Sequence, residues 1–149
     1  MTKEIFLLLN LVLAFYNVGT IWAMEIDIFR NWKVLDPKNF HAVQGVHWKR
    51  LPFWIFIPLG LALIGSILLF GYHPDKIPSW EIGFPFGFQI VSHILTALFW
   101  GQWQNKLSKD DSGGKSLYLA KILKTHWIRT ALWNACGLML LFMTIQTLQ

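Results

Sequence analysis

The chain has 149 residues, of which 54% are hydrophobic and only 14% are charged. About a quarter of the residues in soluble domains are charged, so this composition, with a mean hydropathy of +0.43, excludes an ordinary soluble domain. The net charge of +5 comes from residues scattered between apolar segments rather than from a basic domain, which argues against a nucleic-acid partner. The single cysteine, Cys136, excludes an internal disulfide and is expected to be a packing residue.

Four segments are long and apolar enough to be predicted as membrane-spanning helices. A hydrocarbon core of about 30 Å needs about twenty helical residues. The predicted spans are residues 5–24, 51–70, 83–103 and 125–147. Lys3 is offset by Glu4 and no small-residue cleavage site follows, so we expect a first span rather than a cleaved signal peptide. Residues 1–149 are therefore predicted to form one all-α domain, an integral membrane four-helix bundle surrounded by lipid.

Helices 2 and 4 are predicted to begin outside the membrane. Asp36 can cap a helix and Pro37 suits its first turn, yet the residues that follow, up to Arg50, are too polar for lipid. The fourth helix starts near Ser116 in a similarly polar segment. Both helices should therefore extend on the cytoplasmic side. Pro52 predicts a bend where the second helix enters the membrane.

The basic residues predict the orientation of the bundle. Ten of the thirteen lie in or beside the connections between spans 1 and 2 and between spans 3 and 4. Lys3 and Lys76 lie at the other end. Because positively charged connections stay in the cytoplasm, we expect both termini to lie outside it. The lack of an organelle signal favours a bacterial inner membrane.

Two helices carry polar stripes that contain tryptophan at membrane depth. Residues three, four and seven apart share a helix face. The stripes include Gln89, His93 and Trp100 in the third span and His126, Arg129 and Trp133 in the fourth, with Asn134 to one side. Lipid cannot satisfy their hydrogen bonds, so the stripes should face each other across the bundle interior. This predicts a cavity or a dense polar core between the two helices, and the cavity would be polar, lined by tryptophan and open toward the cytoplasm.

We predict His93, His126 and Arg129 as the catalytic residues of this cavity, because a histidine can take up a proton and a buried arginine can stabilise an anion. The predicted ligand contacts are Asn17, Gln89, Trp100, Trp133 and Asn134. The expected ligand is a hydrophobic, aromatic small molecule with a phenolic or enolic group. A structural interpretation stays open, in which the asparagines only bridge helices and Arg129 only neutralises Glu25.

The stretch from Leu123 to Trp133, LKTHWIRTALW, resembles the last-helix signature of small four-helix membrane proteins grouped with the fungal anthrone oxygenases. This resemblance implies a four-helix bundle. For the characterised members it also implies oxygen insertion into a polycyclic aromatic compound without an obvious cofactor. His126 and Arg129 are the positions to which the family's function would carry over.

Two other classes of function remain open. A metal- or haem-binding membrane protein would use Glu25, His41 and His126 as candidate metal ligands, since four-helix interiors commonly host such sites. The oxygenase-like interpretation requires neither group. A noncatalytic accessory subunit would use the small residues within 83–87 and 97–101 to contact a second copy or a partner in a membrane complex.

Overall fold

The computed structural model describes all 149 residues as four long helices joined by short connections. The helices are α1 (Lys3–Lys33), α2 (Pro37–Leu69), α3 (Ser79–Leu107) and α4 (Leu117–Leu148). No strand occurs. Each helix is long and apolar enough to cross a membrane. The predicted all-α class and the predicted number of long apolar helices are therefore confirmed.

All four helices, not only α2 and α4, extend beyond the predicted spans. Helix α1 continues past residue 24 to Lys33, and α3 continues past residue 103 to Leu107. The polar run that begins at Glu25 is thus helical. Helices α2 and α4 begin before their predicted spans, as expected, and α1 and α3 also continue past theirs, because the backbone hydrogen bonds continue through residues whose side chains are polar.

Three of the helices contain a π-helical turn. These turns are Met24–Ile28, Pro52–Phe56 and Thr96–Trp100. A π turn accommodates one extra residue while the helix continues, and such turns are frequent at functional sites. Pro52 is the first residue of the second turn, so α2 passes this proline without ending.

Helix α4 packs against both α1 and α3, and α1 also packs against α2. One apolar cluster, which includes Leu7 and Trp133, fills the half of the molecule that holds both termini. A second cluster, which includes Phe29 and Ile122, fills the half that holds the α1–α2 and α3–α4 connections. On α4 the polar residues near position 126 lie between the two clusters. The packing therefore encloses them between the helices.

The α3–α4 connection closes against the end of α1. Gly113 has a φ of +56°, a conformation that favours glycine. A Cβ added at Gly114 would lie 2.5 Å from the carbonyl oxygen of Lys33, so the two backbones approach closely. Asp110 accepts hydrogen bonds from the Ser116 hydroxyl and from a backbone amide, which hold the pKa of its carboxyl below its usual range. These contacts fix the connection.

The small residues of α3 have no partner helix within the chain. A Cβ added at Gly83 or at Gly87 would meet nothing within 4 Å. At Gly101 the added atom would meet only the backbone of its own helix. The predicted contact with a second copy or a membrane-complex partner stays a prediction.

Gly65 and Gly60 of α2 provide a matched test of helix packing. A Cβ added at Gly65 would lie 2.2 Å from Asn10 Oδ1, whereas one added at Gly60 would meet nothing within 4 Å. Asn10 is buried and donates a hydrogen bond to the Phe6 carbonyl oxygen, so it cannot move away freely. We expect Gly65→Ala to destabilise the fold by about 1–3 kcal/mol through overpacking. Gly60→Ala should stabilise it by about 0.4–1 kcal/mol, because the unfolded chain loses freedom.

Unfolding of both variants in the same detergent measures these changes in the free energy of unfolding. The two substitutions make the same chemical change on the same helix, so their difference isolates the contact with α1. Equal changes in Tm would contradict the close approach of α1 and α2 at Gly65.

Candidate functional site

Three ionisable side chains form a buried hydrogen-bonded triad between α1 and α4. Glu25 Oε2 lies 2.9 Å from His126 Nδ1, and Arg129 donates from Nε to His126 Nε2 at 3.1 Å. Arg129 Nη2 also contacts His126 Nε2. His126 is fully buried, while Glu25 and Arg129 are 8% and 5% exposed. Because Nε2 accepts from arginine, the proton of a neutral imidazole lies on Nδ1, where it is donated to the glutamate.

The local backbone brings the triad together. His126 and Arg129 are three residues apart on α4 and so share a face. Glu25 lies in the π turn of α1, next to a second arginine. Arg30 donates from Nη2 to Glu25 Oε1 at 3.2 Å and from Nε to the Glu25 backbone oxygen at 3.1 Å. Glu25 is therefore the shared counter-charge of a buried and an exposed arginine.

Aromatic rings surround the triad. The centroid of Phe29 lies 4.8 Å from that of His126, in an edge-to-face arrangement. The Arg129 guanidinium lies over the Trp100 ring, with Cζ 5.2 Å from its centroid, as in a cation–π contact. Trp100 is held in turn, since its Nε1 donates to Thr125 Oγ1 at 3.0 Å. These rings shield the ionic groups from water and strengthen their electrostatic interactions.

Arg129 also lines a cavity of 390 Å³ between α2 and α3, which we call the α2–α3 groove. Its other polar lining residues are Ser92, His93 and Thr96, and its small lining residues are Gly60, Ala97 and Gly101. The groove exists because these small residues leave space between the helices. Small-molecule sites have volumes of about 300–1,000 Å³. The groove is large enough for a small aromatic molecule, and the triad meets it at Arg129.

His93 faces the groove with one ring nitrogen already bonded. Its Nδ1 donates to the carbonyl oxygen of Gln89 at 2.7 Å. A neutral His93 therefore keeps Nε2 as a hydrogen-bond acceptor. The predicted pair His93 and Arg129 is thus brought to one cavity, where His93 can accept a proton and Arg129 can contact an anion.

Gln89 and Trp133 lie in contacts between helices rather than on the groove. Gln89 Nε2 donates to Ser66 Oγ at 2.7 Å and lies 3.4 Å from Cys136 Sγ. Trp133 Nε1 donates to Ser92 Oγ at 3.1 Å. Helices α3 and α4 are therefore in direct contact through Trp133 and Ser92, and Gln89 ties α3 to α2. The cavity lies between α2 and α3, not between the two helices for which it was predicted.

The remaining predicted ligand contacts also lie outside the groove. Asn17 Nδ2 donates to the Pro58 carbonyl oxygen at 3.3 Å, which ties α1 to α2. Asn134 donates to a carbonyl oxygen of its own helix, and its Oδ1 accepts from Trp22 Nε1 at 3.4 Å. Trp100 does not line the groove; its ring contacts the guanidinium of Arg129, which does line it. These residues bridge helices or support the triad.

The three candidate metal ligands do not converge. Glu25 and His126 are in contact, but His41 Nε2 lies 3.2 Å from Asp111 Oδ1 at the surface. No group of three or more His, Cys, Asp or Glu side chains is placed to hold a metal ion. His41 is separated from the other two because it lies on the exposed face of α2, beside the α3–α4 connection.

Two parts of the site had no clear signal in the sequence. Arg30 lies five residues after Glu25, a spacing that does not pair side chains on a regular α-helix. The π turn brings them together. Helix α2 contributes only apolar and small residues to the groove. Gly60, a small residue within an apolar segment, was therefore the only signal in the sequence that α2 lines a cavity.

No family model, curated protein or solved structure matches the chain, so the side chains described above are the basis for assigning a function.

Proposed function

We propose that the chain is an integral membrane four-helix bundle that binds a hydrophobic aromatic molecule with an acidic hydroxyl group. The binding site is the α2–α3 groove. The observation that carries the proposal is that Arg129, a buried cation bonded into the triad, lines this groove together with His93. A cation and a neutral proton acceptor on one apolar cavity suit a phenol or an enol better than they suit a plain hydrocarbon.

The surface of the helices supports the membrane placement. Large apolar side chains are exposed on all four helices, among them Leu9, Phe53, Leu98 and Phe142. Soluble monomers rarely expose apolar surface on this scale. The amino-terminal end and the α2–α3 connection lie together, because Lys3 pairs with Asp75. With the basic connections in the cytoplasm, this end and both termini would face away from it, in a bacterial inner membrane.

The chemistry follows from the two groups that face the ligand. His93 Nε2 takes up the proton of the hydroxyl group, and Arg129 stabilises the resulting oxyanion electrostatically. Glu25 and His126 do not touch the ligand; they hold the Arg129 guanidinium in place and supply its counter-charge. The resemblance to the anthrone oxygenases adds the prediction that molecular oxygen then reacts with the anion. Binding and deprotonation do not depend on that step.

The purified protein should bind 1-naphthol saturably and about tenfold more tightly than 1-methoxynaphthalene. The methyl ether keeps the two rings but has no proton to donate, so it loses a charge-assisted hydrogen bond of about 1.5–3 kcal/mol. Equilibrium dialysis in detergent measures both dissociation constants. Equal affinities would show that the acidic hydroxyl group is not recognised.

Variants of the groove locate this binding. Gly60→Leu should abolish naphthol binding by filling the groove, whereas Gly19→Leu should not, although both glycines have open space around the added Cβ. Arg129→Gln should weaken binding of naphthol, while His73→Ala, outside the groove, should leave it unchanged. Undiminished naphthol binding in both Gly60→Leu and Arg129→Gln would contradict the proposed site.

A further inference from the structure

We propose that a second cavity, the cleft between α1 and α2, binds one phospholipid with a zwitterionic headgroup. The cleft has a volume of 730 Å³ and is lined by residues within 27–35, from the end of α1 and the α1–α2 connection, and within 43–54 of α2. It shares no lining residue with the α2–α3 groove. The inference rests on the membrane placement proposed above but not on the binding of a phenol.

The position and walls of the cleft suit the headgroup region of a membrane. His47 lies between two indole rings, with its centroid 4.8 Å from that of Trp32 and 6.1 Å from that of Trp54. Phe53, which is 75% exposed, lines the outer edge. The second predicted span begins at residue 51, so Phe53 and Trp54 lie just inside the membrane boundary and Arg50 lies just outside it. Tryptophan is enriched at this level of a bilayer.

One face of α2 carries buried polar atoms that have no hydrogen-bond partner within the chain. Gln44 Nε2, His47 Nε2 and Trp48 Nε1 are buried and unbonded. Their spacing of three and four residues places them on one helix face. His47 is only 8% exposed and lines the cleft, as does Arg50 one turn later. Gln44 and Trp48 do not line the cleft, so His47 and Arg50 are the groups that a ligand there would meet. With the proton of a neutral His47 on Nε2, a ligand rich in acceptor oxygens, such as a phosphate diester, would accept from this nitrogen and pair with the Arg50 guanidinium.

The opposite wall of the cleft carries a negative charge. Asp27 lines the cleft, and its Oδ1 accepts a hydrogen bond from Asn31 Nδ2 at 2.6 Å, which fixes the carboxylate. A carboxylate beside indole rings suits an ammonium group. With one cation and one anion in its lining, the cleft complements a phosphate joined to an ammonium. An anionic lipid would meet Arg50 equally well but would be repelled by Asp27.

Native mass spectrometry of the delipidated full-length protein tests the inference. The protein is titrated in mild detergent with dioleoyl phosphatidylethanolamine or with dioleoyl phosphatidylglycerol. We expect one phosphatidylethanolamine molecule to be retained with about tenfold higher affinity than phosphatidylglycerol, since the latter lacks the ammonium group. Asp27→Asn should remove this preference.

Arg50 and its neighbour Lys49 allow a matched comparison of two lost positive charges. Arg50→Gln should lower the affinity for phosphatidylethanolamine about tenfold by removing a charged hydrogen bond. Lys49→Gln removes the same charge from the neighbouring exposed position, which does not line the cleft, and should leave the affinity unchanged. Equal affinities in these two variants, or no saturable binding by the unchanged protein, would overturn the lipid site.

The binding proposed at each of the two cavities can be tested separately. Arg50→Gln should bind 1-naphthol as the unchanged protein does, and Gly60→Leu should bind phosphatidylethanolamine as the unchanged protein does. If Gly60→Leu loses the lipid, the cleft is not the lipid site. Release of the chain from membranes by alkaline carbonate would overturn the membrane placement itself, and the lipid site with it.

Discussion

Glu25→Leu should destabilise the fold by about 3–5 kcal/mol, because it removes the counter-charge that Arg129 reaches through His126 and leaves the buried guanidinium uncompensated. Arg129 is almost fully buried, and its Nε and Nη2 both contact His126. A neutral His126 supplies no negative charge. Glu25 is the only carboxylate in the triad, so its loss leaves the guanidinium without a counter-charge.

Arg129→Met should cost less than Glu25→Leu. Glu25 would still be paired with Arg30, whose Nη2 lies 3.2 Å from its Oε1, and methionine fills much of the space of the arginine stem. The Glu25→Leu, Arg129→Met double variant should be more stable than Glu25→Leu alone, because no buried charge is then left unpaired. This ordering distinguishes an uncompensated charge from a simple loss of packing.

Chemical unfolding of the purified variants in one detergent, followed by tryptophan fluorescence, measures these free energies. Asp27→Asn is the matched control, since it removes an exposed carboxylate two residues along the same helix and should stay within about 0.5 kcal/mol. A Glu25→Leu variant as stable as Asp27→Asn would show that the triad carries no buried charge pair.

The existence of the four helices could be predicted from the sequence, but their ends could not. Runs of about twenty apolar residues predict membrane-spanning helices, because a segment in an apolar environment must bond its own backbone polar groups and a helix does so. The residues after Met24 are polar, and a polar segment is equally compatible with a loop. Helix α1 continues through the π turn at Met24–Ile28. This turn satisfies the backbone hydrogen bonds, although the side chains there show no apolar pattern that would predict a helix.

The members of the candidate site were also easier to predict than their arrangement. The spacing of His126 and Arg129 places them on one face, and Glu25 is a natural counter-charge, so this group could be anticipated. The sequence did not show that His126 lies between the two charged groups. That arrangement depends on how α1 and α4 are rotated, which the packing of Phe29 and Trp100 around the imidazole determines.

The position of the cavity depends on how closely each pair of helices packs. Polar stripes on α3 and α4 predict that these helices face each other, and they do. Close contact closes the space, however, because Trp133 fills it and bonds to Ser92. The groove forms instead where Gly60 and Ala97 leave room between α2 and α3. The periodicity of polar residues shows which side chains of a helix face its neighbours, but it does not show which pair of helices packs less tightly.

Trp133→Ala should destabilise the fold by about 3–5 kcal/mol, the range for removing a buried tryptophan from a core. Trp133 is 1% exposed, belongs to the apolar cluster in the half of the molecule that holds both termini, and donates from Nε1 to Ser92 Oγ. Trp133→Phe keeps most of the apolar volume and loses the hydrogen bond, so it should cost about 1–3 kcal/mol, because Ser92 is left unpaired.

Trp127 lies on the same helix and is 59% exposed, so Trp127→Ala is the control for the loss of an indole ring from α4. It should change the free energy of unfolding by no more than about 0.5 kcal/mol in detergent. Unfolding curves of the three variants against the unchanged protein decide the comparison. Because Ser92 also lines the α2–α3 groove, Trp133→Phe should in addition alter the affinity for 1-naphthol, whereas Trp127→Ala should not. A loss of stability in Trp127→Ala as large as that in Trp133→Ala would contradict the rotation of α4 that buries Trp133, His126 and Arg129 against the other helices.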